Sequence, residues 1–330
     1  MSRITAVYWL MFSLLFSGCG YASSSLPSRD DVKAFIENMI VEHQFSRKDL
    51  FELFQKVRLQ DDIIRAMERP AEAKPWYVYR TIFITDRQID AGVDFWRHNA
   101  QSLAAAEQEF GVPAEIIVAI IGIETRYGEN TGSYRVIDAL STLAFNYPKR
   151  SDFFTDELEH FLILCREERM DPLEPVGSYA GAMGIPQFMP SSFRKFATDQ
   201  DYDGRRDIWT SNRDAIGSVA NYFLKHGWVK GAPVTFQAYP RGNVYQKFLT
   251  KGLDPDTTVA RIQAAGIHIP PNISLNQEAK LLHLDNEYGP VYWVTLANFY
   301  VITRYNHSAL YAMAVYQLSR EILYRTQSTS

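Results

Sequence analysis

Apolar residues recur at helical spacing along most of this chain. Val32, Phe35, Ile36, Met39 and Ile40 fall on one face of a predicted helix. Ser46 with Asp49, and Thr85 with Gln88, have the spacing of capping boxes that open two more. Between them Pro75-Trp76-Tyr77-Val78-Tyr79 reads as an aromatic cluster outside a clear helix. Residues 113–128 read as a helix with Pro113 in its first position and Gly128 as its stop. Apolar on all sides from Ile116 to Ile123, it belongs in the middle of a domain. Further helices are predicted over 152–168, 190–197, 213–226 and 308–325. Strand-like alternation is concentrated in 232–300, for example Val291-Tyr292-Trp293-Val294. The pattern predicts a mainly helical α+β fold with few strands and no internal repeats.

Composition narrows the function classes. The 330 residues are 46% hydrophobic, enough for one large domain or two modest ones. Net charge is −4 and basic residues are scattered, which argues against a nucleic-acid partner. The 19 tyrosines suit either a sugar-binding groove or an aromatic core.

The N-terminus has its own signature. Arg3 precedes an apolar run over 6–16, too short to span a bilayer, and then Ser17-Gly18-Cys19. This reads as a lipoprotein signal peptide over 1–18, with Cys19 lipidated; plain secretion and an uncleaved anchor are the alternatives. Gly20 after the cysteine favours the periplasmic face of the outer membrane. Residues 19–29 would be a tether and 30–330 the working domain. The other cysteine, Cys165, lies in an apolar stretch and reads as a buried inert thiol, so no disulfide is expected.

Glu124 stands out because a carboxyl rarely ends an apolar helix. Desolvation and the negative end of the helix dipole would both raise its pKa. A protonated carboxyl at neutral pH is what a general acid facing a glycosidic oxygen needs. A salt bridge to Arg126 or a more distant arginine is the competing reading. Downstream, residues 177–191 pack three glycines and two prolines among small residues. Such backbone can approach a ligand closely, and Gln187 could offer amide donors and an acceptor to an N-acetyl group. A purely structural turn is the alternative. Asp138, Asp152 and Asp171 are conceivable second carboxylates, but none sits in a motif.

Three segments occur in a telling order: Ile123-Glu124-Thr125-Arg126-Tyr127-Gly128, then Ala182-Met183-Gly184-Ile185-Pro186-Gln187-Phe188-Met189-Pro190, then Arg304-Tyr305-Asn306-His307-Ser308. With them the chain resembles the membrane-bound lytic murein transglycosylase B family from about residue 30 to 325. The resemblance implies a lysozyme-like core at about 110–230, with an α domain and a small β subdomain at about 232–300. It implies cleavage of peptidoglycan glycan strands between N-acetylmuramic acid and N-acetylglucosamine, leaving a 1,6-anhydromuramyl end, with Glu124 as the sole acid/base. Ser178, Gln187, Asn306 and Tyr311 would line the site, with Tyr79, Arg150, Tyr222 and Tyr305 in the groove. Catalysis would need no cofactor, and a monomer is expected. A hydrolytic muramidase and a non-catalytic peptidoglycan-binding lipoprotein are the other readings.

Residues 199–207 place Asp199, Asp201 and Asp203 at alternate positions before Gly204, as an EF-hand loop opens. The closing Glu is missing. The family resemblance supplies Asp214 as the closing ligand and Arg205 through its backbone carbonyl, around a structural Ca2+ or Na+. A solvated acidic turn is the alternative. The seven histidines form no His-Glu-x-x-His helix, which leaves metalloprotease chemistry unsupported.

Overall fold

The computed structural model describes residues 25–68 and 74–328. Cys19, the segment expected to be a signal peptide and the start of the expected tether lie outside the described residues. The chain divides into two compact units, one ending at Lys56 and one beginning at Val57.

The first unit holds α1 (Asp30–His43) and α2 (Arg47–Phe54). The apolar face of α1 is realised: Val32, Phe35, Ile36 and Met39 are buried and Ile40 is half-buried. Phe35 meets Phe54 of α2 edge-on, with ring centroids 5.8 Å apart. The Ser46 side chain accepts from Asp49 N, satisfying one of the helix's orphan donors.

The second unit is built from helices α3 (Asp61–Met67), α4 (Trp76–Phe83), α5 (Asp86–His98), α6 (Ala100–Phe110), α7 (Ala114–Thr125), α8 (Val136–Asn146), α9 (Ser151–Glu167), α10 (Pro190–Phe196), α11 (Asn212–Lys225), α12 (Val259–Ala264), α13 (Ala297–Thr303) and α14 (Ala309–Ser328). Helix α7 is the hub. Residues 116–121 are all buried, and α5, α6, α11 and α14 pack around it.

Two small sheets complete the unit. Strands β1 (Tyr134–Arg135) and β2 (Val176–Gly177) form an antiparallel pair. Strands β3 (Thr235–Ala238), β4 (Thr257–Thr258), β5 (Glu278–Asn286) and β6 (Gly289–Thr295) form an antiparallel sheet in the order β3-β6-β5-β4. A core of its own supports this second sheet, including Phe248, Val259, Ile262, Ile267, Leu281 and Val294. Within it Lys280 is buried and paired with Asp256 at 2.8 Å.

Three expectations need correction. Residues 76–79 are helical, because burying Trp76 and Tyr79 on one face of α4 outweighs the weak helix propensity of aromatics. Pro113 is the N-cap of α7 and not its first helical residue. The stop also comes before Gly128: Arg126 and Tyr127 take the left-handed turn, at φ 51° and 63°. Their N–H groups bond back to Gly122 O and Ile121 O, satisfying the last carbonyls. Tyr127 is held there by its ring, which folds back over the helix so that its hydroxyl donates to Gln88 O at 2.8 Å. A Cβ added at Gly122 would lie 2.6 Å from that ring, so this glycine is what lets the tyrosine close the helix end.

Candidate active site

Glu124 sits in the last turn of α7 and is half-buried. Solvent reaches part of its side chain, while protein packs densely around the carboxyl. Arg126 is exposed and makes no ion pair with it among the described residues. The Tyr311 hydroxyl, from the first turn of α14, donates to Glu124 Oε1 at 2.5 Å. Burial pushes the Glu124 carboxyl up to about 7, and the bond from Tyr311 works against that rise. An acid that holds its proton near neutrality yet can give it up is suited to act in both directions.

Tyrosines gather around this carboxyl. Tyr311 is buried, and burial followed by the charge of Glu124 pushes its phenol well above the usual range. Tyr305 behaves likewise, raised by burial and then by Glu124 and Tyr222. Tyr79 on α4 also bears on Tyr311, which brings α4 to the same neighbourhood. The Tyr305 hydroxyl donates to Pro186 O at 2.6 Å, tying the segment before α14 to the glycine-rich loop. Tyr222 packs on Tyr305 at 4.8 Å and donates to Arg304 O at 2.5 Å.

The glycine-rich loop reaches Glu124 through its neighbour. Thr125 Oγ1 donates to Ile185 O at 2.9 Å, and accepts from Gly128 N at 3.0 Å. Gln187 takes φ 52°, and its amide nitrogen donates to Thr131 O and Gly184 O at 3.1 and 2.9 Å. Both amide hydrogens are therefore spent inside the protein, so Gln187 can offer a ligand its oxygen and not the donors the sequence suggested. Ser178 Oγ accepts from Ala180 N and Ala182 N, which shapes the loop's first turn.

Other expected residues lie in defined places without a contact to Glu124. Asn306 is exposed in the turn between α13 and α14. Arg150 is exposed before α9, with its guanidinium 4.3 Å from the centre of the Phe153 ring. Asp138 is buried, paired with Arg135 at 2.7 Å, and accepts from Arg58 N. Those bonds make it structural. Asp171 accepts from Leu173 N in a surface turn.

Neither Thr125 nor Gln88 is among the residues expected at the site. Gln88 looked like half of a capping box, yet its side chain donates to Gly122 O at 2.6 Å, bracing the end of α7. The signal for Thr125 was its position: a polar residue after Glu124 in a dry helix end must find its own partners.

In the acidic loop, carboxylate oxygens of Asp199, Asp201 and Asp203 lie within 4.8 Å of one another. Asp199 also accepts from Asp203 N and Gly204 N, and Asp203 accepts from Arg205 N. Asp201 Oδ1 is buried with no hydrogen-bond partner. Asp214, buried at the start of α11, accepts from Gln200 N at 2.7 Å and Asp207 N at 2.8 Å. It thus closes the loop from beneath. Its pKa is raised by burial, then by the charges of Asp201 and Asp199, against the pull of those two backbone bonds.

Lysozyme-like glycan-cleaving enzymes are built around a carboxyl of this kind on a mainly helical fold, and this fold puts the chain in that class. It belongs to the transglycosylase SLT domain family, whose model matches residues 27–320. It is 44% identical over 302 residues to membrane-bound lytic murein transglycosylase B of Escherichia coli K12, covering 88% of this chain and 82% of the relative. Among solved structures it is similar to soluble lytic transglycosylase SltB1 of Pseudomonas aeruginosa: 52% identity, TM-score 0.85, covering 88% of this chain and 98% of that one. It is similar also to Escherichia coli Slt35 in complex with calcium: 44% identity, TM-score 0.83, covering 91% and 94% respectively.

Proposed function

We propose that this chain is a peptidoglycan lytic transglycosylase in which Glu124 serves as both acid and base. Glu124 protonates the oxygen of the β-1,4 bond between N-acetylmuramic acid and N-acetylglucosamine, and the bond from that oxygen to the muramyl C1 breaks. The substrate's own N-acetyl oxygen steadies the positive charge at C1. Glu124, now a carboxylate, takes the proton of the muramyl C6 hydroxyl, and that oxygen bonds to C1. The proton returns to Glu124 and no water is consumed. One observation carries this reading: a carboxyl unpaired with any arginine among the described residues, held near neutrality beside Tyr311. Ser178, Gln187, Tyr79, Tyr222, Tyr305 and Tyr311, with Asn306 and Arg150 further out, are the residues offered to the glycan.

Mass spectrometry of digested sacculi tests the chemistry. The released muropeptides are expected to carry anhydromuramyl ends, lighter by one water. Reducing ends instead would assign the chain to the hydrolytic muramidases.

The acidic loop would hold a structural cation, for which the Slt35 complex with calcium gives the precedent. The residues fit: three converging carboxylates and a buried oxygen of Asp201 that lacks a partner. Asp199, Asp201, Asp203 and the Arg205 carbonyl would face the ion, with Asp214 at the loop's base. Saturating Ca2+ is expected to raise the melting temperature by several degrees, since about 100 Kd of ligand is worth roughly 2.7 kcal/mol. Asp201→Asn should lose the shift. A calorimetric trace indifferent to Ca2+ would return the loop to a solvated turn.

Lipidation at Cys19 and attachment to the outer membrane complete the reading. They rest on the N-terminal motif and on the membrane-bound character of the Escherichia coli relative. Among the described residues no helix is long and apolar enough to cross a membrane.

A further inference from the structure

Between the acidic loop and α11 the chain passes through Ile208 and Trp209, which touch neither Glu124 nor the carboxylate cluster in any bond described above. Two hydrogen bonds leave this pair for the glycine-rich segment. Ile185 N donates to Ile208 O at 2.8 Å, and Trp209 Nε1 donates to Val176 O at 3.1 Å. Val176 lies on β2, two residues before Ser178, and Ile185 lies two residues before Gln187. The carbonyl of Ile185 accepts from Thr125, next to Glu124. One residue, Ile185, is thus clamped through its carbonyl from the catalytic helix and through its N–H from Ile208. The fit is close, because a Cβ at Gly184 would come 2.5 Å from Ile208 O. The pair is itself anchored. Asp207 Oδ1 accepts from Trp209 N at 2.8 Å, and the Trp209 ring packs on Phe193 of α10 at 5.8 Å.

We infer that Ile208 and Trp209 are positioning residues, a strut that holds both ends of the 176–188 loop so that Ser178 and Gln187 face the substrate of Glu124. This rests on the proposed reaction for its meaning, but the strut itself has a readout independent of turnover.

Trp209→Phe removes the indole N–H and keeps a ring against Phe193. On soluble glycan strands the variant should show KM raised about fivefold, the worth of one neutral hydrogen bond, with kcat nearly unchanged. Hydrogen exchange of backbone amides in 176–188 should quicken by a similar factor, in the active protein and in a Glu124→Gln background alike, while amides of α7 and the β5–β6 sheet stay as they were. An unchanged KM together with unchanged local exchange overturns the strut. So does a rise in exchange spread evenly over the protein, which would mark Trp209 as ordinary core. Activity persisting in Glu124→Gln alone would remove the catalytic reading and leave the exchange result standing.

Discussion

Glu124→Gln is expected to lower the rate of muropeptide release by about 10³-fold or more, measured on purified sacculi, while the protein stays folded. The factor follows from general acid–base catalysis, which is typically worth ~10²–10⁴, here demanded of one group in both directions. Glutamine preserves shape and can still accept the Tyr311 hydroxyl, so the 2.5 Å contact survives in kind. What is lost is the transferable proton. Release at the wild-type rate by a folded Glu124→Gln protein would show that another group carries the chemistry. Asp138 is a poor substitute, because its oxygens already serve Arg135 and Arg58 N.

The same carboxyl should make stability depend on pH. In the unfolded chain Glu124 titrates near the ordinary 4.5, and in the folded protein near 7. Between those values the folded state binds more protons than the unfolded one. Stability is therefore highest below the lower value and falls as pH climbs through the window, with the whole contribution gone above about 7. One pKa unit is worth about 1.36 kcal/mol, so the loss is on the order of 2–3 kcal/mol once partial solvent access is allowed for. Glutamine cannot titrate. Glu124→Gln should thus melt close to wild type near pH 4 and above it near pH 8, with other groups cancelling in the comparison. A difference that stays flat across that range would mean the carboxyl is not desolvated in the folded state.

The sequence announced the long, strongly patterned elements and missed those decided by tertiary contact. Helix α7 was readable because its apolar run had no other home, and Glu124 was readable because its charge contradicted that run. Helix α4 is not legible in this way: its aromatics have no helical signature until Trp76 and Tyr79 meet a core. The end of α7 was misplaced because Gly128 is the residue chemistry nominates for positive φ, whereas Tyr127 is forced there by a ring packed over Gly122. Strands β1 and β2, two residues each, are too short to alternate. In the site, the tyrosines came from the family resemblance, since no local pattern links Tyr311 to a carboxyl 187 positions away. Sequence alone leaves the Gln187 amide donors free for a ligand, whereas the fold engages both of them with Thr131 O and Gly184 O.

The order of the four-stranded sheet has one more consequence. Its two long strands, β5 and β6, occupy the middle, and the outer places go to β3, with four residues, and β4, with two. Strand β4 faces only Glu278 and Ala279 of β5, so residues 280–286 of β5 have a strand beside them on the β6 side alone. The part of this sheet open to the addition of another extended segment is therefore the far stretch of β5, and not its short outer strands.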